Sequence, residues 1–106
     1  LPYVQTDNGG IDIEVPAGGT ARAIFAGKVS AIFRQPGFNT IVMVRHGNYL
    51  TIYANLSEIS VKTGDTVKAN QTIGRIFSDP DDDNRSIMHF ELRKEKAKLN
   101  PEQWVR

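Results

Sequence analysis

The sequence predicts an all-β, mainly antiparallel domain, and three observations support this prediction. Runs of strand-forming residues recur roughly every 8–12 residues along the chain. Clusters of Gly, Pro and Asn separate these runs and predict turns. Only two stretches have room for a short helical turn, residues 56–58 and the segment that begins at Asn100, with Pro101 in its first helical position. We therefore expect a sandwich or barrel-like fold.

The first half of the chain contains five predicted strands. The first strand includes Asp12 and ends at a turn cluster over residues 15–19. Residues 26–27 predict a tight hairpin between the second and third strands. Residues 46–48 predict another hairpin, between the fourth and fifth strands. In chain order, the five strands cover residues 11–13, 20–25, 28–33, 40–45 and 49–53.

The second half contains four more predicted strands and one acidic loop. The loop at residues 79–84 contains four aspartates. It lacks the central glycine and the final glutamate of an EF-hand loop, so we expect it to be solvated and to bind no calcium. The strands cover residues 59–61, 66–68, 72–77 and 86–93.

Length and composition restrict the classes of protein to which the chain can belong. Its 106 residues are sufficient for one domain, 1–106, with a buried core. A net charge of +1 gives no reason to expect nucleic acid as a partner. The sequence has no cysteine for disulfides or thiolate chemistry, no apolar run that could cross a bilayer and no signal peptide at Leu1. Because it does not begin with Met, we expect a processed product or a domain excised from a longer protein.

One histidine lies inside the last predicted strand. His89 has Met88 and Phe90 as neighbours, and a single histidine in such a strand is more often a hydrogen-bonded core residue than a metal ligand. Its role therefore depends on the motifs elsewhere in the chain.

Several fragments occur in the order typical of one family. From about Asp7 to Trp104, the chain resembles the peptidase M23 (LytM, lysostaphin-like) domain, a β-sheet fold also called the duplicated hybrid motif. Several motifs in the right order are more specific than any one of them. The fragments are Gly-Ile-Asp-Ile at 10–13, Ala-x-x-Ala-Gly-Lys-Val at 23–29, residues 44–56, residues 61–74, Met-His-Phe-Glu-Leu-Arg at 88–93, and Asn-Pro at 100–101.

The resemblance also identifies the positions of the family's zinc site. Active members place a His four residues before an Asp, a second His in a Tyr-x-His-Leu segment and a His-x-His pair in the last strand. Here Asn8 stands at the first ligand position, whereas Asp12 and His89 match the other two ligands. The two catalytic histidine positions carry Asn55 and Ile87. The resemblance thus implies that two of three zinc ligands remain and both catalytic histidines are replaced.

These replacements predict a domain that is not an enzyme. Catalytic zinc usually needs three protein ligands, and the neutral amide of Asn8 is a poor ligand for zinc. Asn55 and Ile87 have no group that can transfer a proton near neutral pH. We therefore expect no cofactor, and a hydrogen bond between a buried Asp12 and His89 in place of zinc. The alternative is a zinc metalloendopeptidase that cleaves peptidoglycan cross-links with unusual ligands.

Degenerate domains of this family include the EnvC-type murein hydrolase activators, and the end of the chain at residues 99–105 resembles that group. The resemblance implies a non-catalytic domain in the bacterial periplasm or cell envelope that binds and activates a peptidoglycan amidase during cell-wall remodelling and daughter-cell separation. A peptidoglycan-binding envelope module is a further alternative. We predict a drier and less charged groove than a zinc site, with the partner-binding residues Asn8, Asp12, Asn55, Ile87 and His89.

The positions of four residues complete the sequence-based hypothesis. Strand alternation puts Ile87 on the same face as His89, which makes Ile87 the predicted groove residue and assigns Met88 to the core. Phe38 and Tyr49 lie near predicted hairpin tips and serve either as aromatic anchors at the groove rim or as core residues.

Overall fold

The computed structural model describes residues 3–5 and 10–94, with side chains from residue 10 onward. Within this range the chain forms ten strands and no helix, and hence no helix that could span a membrane. The strands are β1 (Tyr3–Gln5), β2 (Ile11–Val15), β3 (Thr20–Arg22), β4 (Gly27–Gln35), β5 (Asn39–His46), β6 (Tyr49–Ile59), β7 (Thr66–Val67), β8 (Thr72–Ile76), β9 (Ser78–Asp79) and β10 (Arg85–Lys94).

The strands form one branched antiparallel sheet. Its main path has the order β1-β2-β10-β6-β5-β4-β7. The branch consists of β8, which pairs with both β6 and β3, while β9 pairs with the start of β10. Every described pair is antiparallel, which confirms the predicted fold class.

The main core lies on one face of the sheet, beneath the β3–β8 branch. Tyr53 is fully buried at its centre and contacts Phe90 edge to face, with ring centroids 5.4 Å apart. The Tyr53 hydroxyl also accepts a hydrogen bond of 3.0 Å from the backbone N–H of Ile24. This bond fastens the chain segment after β3 to the main sheet. The remaining core residues include Val29, Val42, Val44, Leu56, Val67, Ile73 and Ile76.

A second, smaller cluster covers part of the opposite face. Ile41, Ile52 and Ala54 are buried there, and the partly buried Phe38 and Met43 pack against them. This face of β2, β10, β6 and β5 also carries the candidate site. The cluster therefore provides an apolar base next to the functional side chains.

Two predicted local structures are wrong. Residues 26–27 do not form a hairpin, because β3 pairs with β8 and β4 pairs with β5 and β7. Gly27 instead permits close packing, since a Cβ there would lie 2.6 Å from Nδ1 of His46. Residues 56–58 are not helical but belong to β6, where Leu56 is fully buried in the core.

Two other local predictions have different outcomes. The hairpin at residues 46–48 is confirmed, because β5 and β6 pair from His46 and Tyr49 onward across a two-residue turn. The predicted C-terminal helical turn at Asn100 lies outside the described residues.

Candidate functional site

The pairing of β2 with β10 brings the two predicted ligand residues together. Asp12 and His89 are directly opposite each other in the strand register. Nδ1 of His89 lies 2.8 Å from Oδ1 of Asp12, and because a carboxylate only accepts, the ring nitrogen is the donor. The His89 side chain is 12% exposed and that of Asp12 is 41% exposed. The predicted contact is confirmed, but its carboxylate is partly open to solvent and not buried.

The His89 ring is held from several sides. A Cβ at residue 10 would lie 2.6 Å from Cε1 of His89, so the ring can take this position only because Gly10 has no side chain. The Phe38 ring lies against the imidazole, with a centroid separation of 5.9 Å. Nε2 faces Oε2 of Glu91 at 3.8 Å, which is too far for a hydrogen bond. His89 is therefore a fixed part of the surface.

Ile87 shares the groove-facing side of β10 with His89, as strand alternation predicts. It is partly exposed and lines the same cavity as Asp12, Asn55 and His89. Met88 points to the opposite face and belongs to the core with 8% exposure, which confirms its predicted position. The first position of the family's His-x-His pair is thus occupied by an aliphatic side chain that lines the groove.

The side chain of Asn55 connects two segments that border the groove. Its amide group donates a hydrogen bond of 2.6 Å to the carbonyl of Ile87. Its carbonyl oxygen accepts one of 2.7 Å from the side-chain amide of Asn39. Asn55 has a φ of 68°, a left-handed conformation that Asn adopts more readily than most residues. Both ends of the amide are therefore engaged within the protein.

The backbone of Asn55 adds two further connections. Its N–H donates to the carbonyl of Phe38 over 2.7 Å, and its own carbonyl accepts from the N–H of Phe77 over 2.9 Å. Phe38, Phe77 and Ile87 all line the groove. The residue at this catalytic position of the family thus links the walls of the groove to its floor.

The groove is an open cavity of about 270 Å³. The prediction of a drier, less charged groove is wrong, because the acidic loop borders it. The pairing of β9 with β10 places Asp79 and Asp82 there together with Arg85. The lining residues are Asp12, Gly37, Phe38, Asn39, Asn55, Phe77, Asp79, Asp82, Arg85, Ile87 and His89.

The charge of Arg85 is compensated by nearby carboxylates. Its guanidinium donates to both carboxylate oxygens of Glu14, over 2.6 and 3.2 Å, and lies 3.5 Å from Asp82. The hydrogen bond from Arg85 lowers the pKa of Glu14 below its ordinary 4.5, and the attraction between the charges acts in the same direction. Conversely, hydrogen bonding and attraction to Glu14 raise the pKa of Arg85. Arg85 thus provides little uncompensated positive charge to the groove.

The other three residues predicted for the groove differ in where they lie. Asn8 lies outside the described residues. Phe38 lines the groove and packs on the small apolar cluster, while its role as an anchor for a partner stays a prediction. Tyr49 lines a different pocket, with Phe25, His46 and Leu92, and is not a groove residue.

Sequence reasoning missed the groove contributions of Asn39, Phe77 and Asp82. Asn39 has a positive φ of 52° and directs its amide toward Asn55. An asparagine after a Pro-Gly turn is a weak signal for such a conformation. The contributions of Phe77 and Asp82 depend on chain pairing and have no local signal.

The side chains in the described part of the site do not form a suitable set of ligands for catalytic zinc. Such a site requires three protein ligands. Asp12 and His89 are hydrogen-bonded to each other, and no group of three His, Cys, Asp or Glu side chains suited to a metal occurs among the described residues. The amide of Asn55 is occupied by Asn39 and Ile87.

Comparisons with known proteins agree with this fold. The profile of "Peptidase family M23" matches residues 6–101. The chain is 35% identical over 106 residues to the uncharacterized lipoprotein YgeR of Escherichia coli, covering 95% of this chain and 41% of the lipoprotein. It is 38% identical over 84 residues to stage II sporulation protein Q of Bacillus subtilis, covering 74% of this chain and 29% of that protein.

Solved structures show the same similarity. The SpoIIQ structure in complex with SpoIIIAH superimposes with a TM-score of 0.66 at 29% identity, covering 97% of this chain and 78% of the solved one. The solution structure of lysostaphin gives a TM-score of 0.72 at 26% identity and covers 98% of this chain and 46% of lysostaphin. The chain spans less than half the length of the curated relatives above. The family profile, the shared fold and the register of Asp12 with His89 lead to one assignment. The chain belongs to peptidase family M23.

Proposed function

We propose that this M23 domain is not a catalyst but binds and activates a peptidoglycan amidase in cell-wall remodelling and daughter-cell separation. The observation that carries the proposal is the state of the former catalytic positions. Ile87 offers no polar atom on its side chain, and both ends of the Asn55 amide are used inside the protein. Ile87 can neither relay a proton nor stabilise an oxyanion, and Asn55 cannot relay a proton near neutral pH; each such role is worth roughly a hundredfold or more in rate.

The remaining pair supports the same proposal. Asp12 and His89 satisfy each other through a hydrogen bond of 2.8 Å, a stable arrangement that requires no metal. With Asn8 at the third position, we propose that the domain uses no zinc cofactor. What remains is a preformed groove whose shape is maintained by internal hydrogen bonds. Such a surface suits binding, because little order has to be created when a partner docks.

A protein partner in the cell envelope is consistent with the relatives. SpoIIQ was crystallised in complex with another protein, SpoIIIAH. YgeR is named a lipoprotein, which supports location of this domain in the envelope or periplasm. For this chain we propose a cell-wall amidase as the partner, whose active state would be favoured when it binds the groove.

The first experiment tests for catalysis. The purified chain is loaded with zinc, its bound metal is measured, and it is incubated with purified peptidoglycan. We expect less than stoichiometric zinc and no release of soluble fragments. Stoichiometric zinc with turnover would refute the proposal and support the zinc endopeptidase.

The second experiment tests amidase activation. Each cell-wall amidase of the source bacterium is assayed on peptidoglycan with and without the chain. We expect the wild-type chain to stimulate one of them and the Ile87→Glu variant to lose this effect.

Leu92→Glu is the matched control for this experiment. Leu92 lies on the same strand as Ile87, is 50% exposed and borders the pocket away from the groove. This variant should therefore stimulate normally. Equal stimulation by both variants would contradict the use of the groove. Peptidoglycan binding without any effect on amidases would favour the peptidoglycan-binding module instead.

A further inference from the structure

A second cavity lies at the other end of β10 from the groove and on the opposite face of the sheet. We call it the end pocket, and its volume is about 430 Å³. Strand alternation places Leu92 on the face of Phe90, which belongs to the core, and not on the face of His89. The end pocket is therefore separate from the groove. Its lining consists of Phe25, His46, Tyr49 and Leu92.

Exposed apolar side chains are concentrated at the end pocket. Of the five exposed large apolar side chains in the described part of the chain, three line this pocket, with exposures of 43–50%. A fourth, Ile24, directly precedes Phe25 in the chain. An apolar surface gathered in one place in this way commonly marks a contact with another segment or molecule.

The histidine of the end pocket adds no free ring nitrogen to its surface. Nδ1 of His46 donates over 2.7 Å to the carbonyl of Ala26, because a carbonyl oxygen only accepts. Nε2 of the neutral ring then accepts from the hydroxyl of Thr51 over 2.7 Å. The ring of Phe25 packs on the imidazole edge to face, with centroids 5.5 Å apart. The end pocket is thus a surface of rings and aliphatic carbon, which favours an aromatic occupant.

The C-terminal segment of the chain starts next to the end pocket. Strand β10 ends at Lys94, which lies directly opposite Tyr49 in the register with β6. Directly opposite residues in a sheet have Cβ atoms about 5 Å apart. Strand alternation also places Lys94 on the same face as Leu92. Residues 95–106 therefore leave the sheet at the border of the pocket and on its side.

This segment carries the single tryptophan of the chain, Trp104, ten residues after Lys94. Ten residues span up to about 33 Å when extended, so the segment is long enough to turn and come back to the pocket. Asn100-Pro101 supplies a signal for that turn. A short tether also gives Trp104 an effective concentration of about millimolar at the pocket, which favours it over a free partner.

We infer that residues 95–106 fold back over this end of the sheet and that the indole of Trp104 occupies the end pocket. The C-terminal segment is then an intramolecular cover that keeps Phe25, Tyr49 and Leu92 from contact with a second copy or another protein. This inference concerns the face opposite the groove and does not depend on the proposed function.

The single tryptophan makes a direct test possible in the full chain. We expect Trp104 to emit at a shorter wavelength than N-acetyltryptophanamide and to be quenched less by acrylamide. In the same wild-type chain, NMR should show nuclear Overhauser contacts between the indole protons and the methyl groups of Leu92. Emission and quenching like those of the free amide, or the absence of these contacts, would overturn the inference.

A matched pair of substitutions locates the effect. Leu92 and Phe33 are exposed apolar residues on strands, with exposures of 50% and 41%, but only Leu92 lines the end pocket. We expect Leu92→Glu to shift the emission of Trp104 toward that of the free amide and to increase its quenching, whereas Phe33→Glu should leave both unchanged. Circular dichroism checks that each variant is folded. Equal responses to the two substitutions would overturn the inference.

Two further measurements distinguish the other possible occupants. If a second copy fills the end pocket, the emission shift disappears on dilution and sedimentation velocity shows a dimer. If a protein partner fills it, Leu92→Glu reduces amidase stimulation and leaves the emission of Trp104 unchanged. Either result would overturn the inference. An emission shift that is independent of concentration, together with normal stimulation by Leu92→Glu, would support it.

Discussion

Replacement of Asn55 by alanine tests whether this residue maintains the shape of the groove. The substitution removes the hydrogen bonds to Ile87 and from Asn39, at 2.6 and 2.7 Å. Each such bond contributes about 1 kcal/mol. Alanine at a φ of 68° costs about 1 kcal/mol more, because its Cβ disfavours the left-handed region that Asn tolerates. We therefore expect the free energy of unfolding to fall by about 3 kcal/mol.

Asn70 provides the control for this prediction. Its φ is 69°, almost the same as that of Asn55, but it is exposed and only its backbone atoms take part in the described hydrogen bonds. Asn70→Ala should therefore show only the backbone effect of about 1 kcal/mol. Urea denaturation of both variants measures the difference. Equal destabilisation would refute the view that the Asn55 side chain connects the groove walls.

Three further predictions concern packing and charge. Gly27→Ala should destabilise the fold by at least about 2 kcal/mol in urea denaturation, because the new Cβ would lie 2.6 Å from Nδ1 of His46; a loss below about 0.5 kcal/mol would contradict this. Thr51→Val should lower the free energy of unfolding by about 1–3 kcal/mol in thermal or urea denaturation, because it removes the hydroxyl that lies 2.7 Å from Nε2 of His46. An unchanged free energy of unfolding would show that this hydrogen bond is dispensable. The pKa of Glu14, followed by NMR, should lie below 4.5 and return toward it in Arg85→Gln. Because the pKa of Glu14 is lower in the folded state, its ion pair with Arg85 stabilises the fold at pH values above the ordinary pKa. This stabilisation is lost as the pH falls through the folded-state pKa. An unchanged pKa of Glu14 in Arg85→Gln would contradict Arg85 as the cause of the shift.

The acidic loop changes the expected chemistry of binding at the groove. From sequence, Ile87 and Asn55 suggested a dry and weakly charged floor. The structure adds Asp79 and Asp82 at one end. A partner segment that is apolar throughout would leave these carboxylates facing a surface unable to solvate them. Partner recognition should therefore depend on ionic strength, which the amidase assay measures when it is run at low and high salt.

The sequence by itself determined the all-β class, most strand positions and the residue types at the family's site positions. These conclusions depend on local information, because strand formers, turn residues and residue types at motif positions can be read without knowing what they contact. The contact of Asp12 with His89 and the opposite faces of Ile87 and Met88 were also predictable, from the family resemblance and from the two-residue period of a strand.

Only the tertiary structure decided what surrounds these residues. The pairing of β3 with β8, rather than a hairpin at residues 26–27, depends on distant strand edges that no local signal reveals. The engagement of Asn55 with Asn39 and Ile87 requires segments 16 and 32 residues away. The acidic loop became part of the groove because β9 pairs with β10. Such long-range pairings are selected by the packing of the whole core, so the sequence indicated which site residues were present while the fold decided how they form a binding surface.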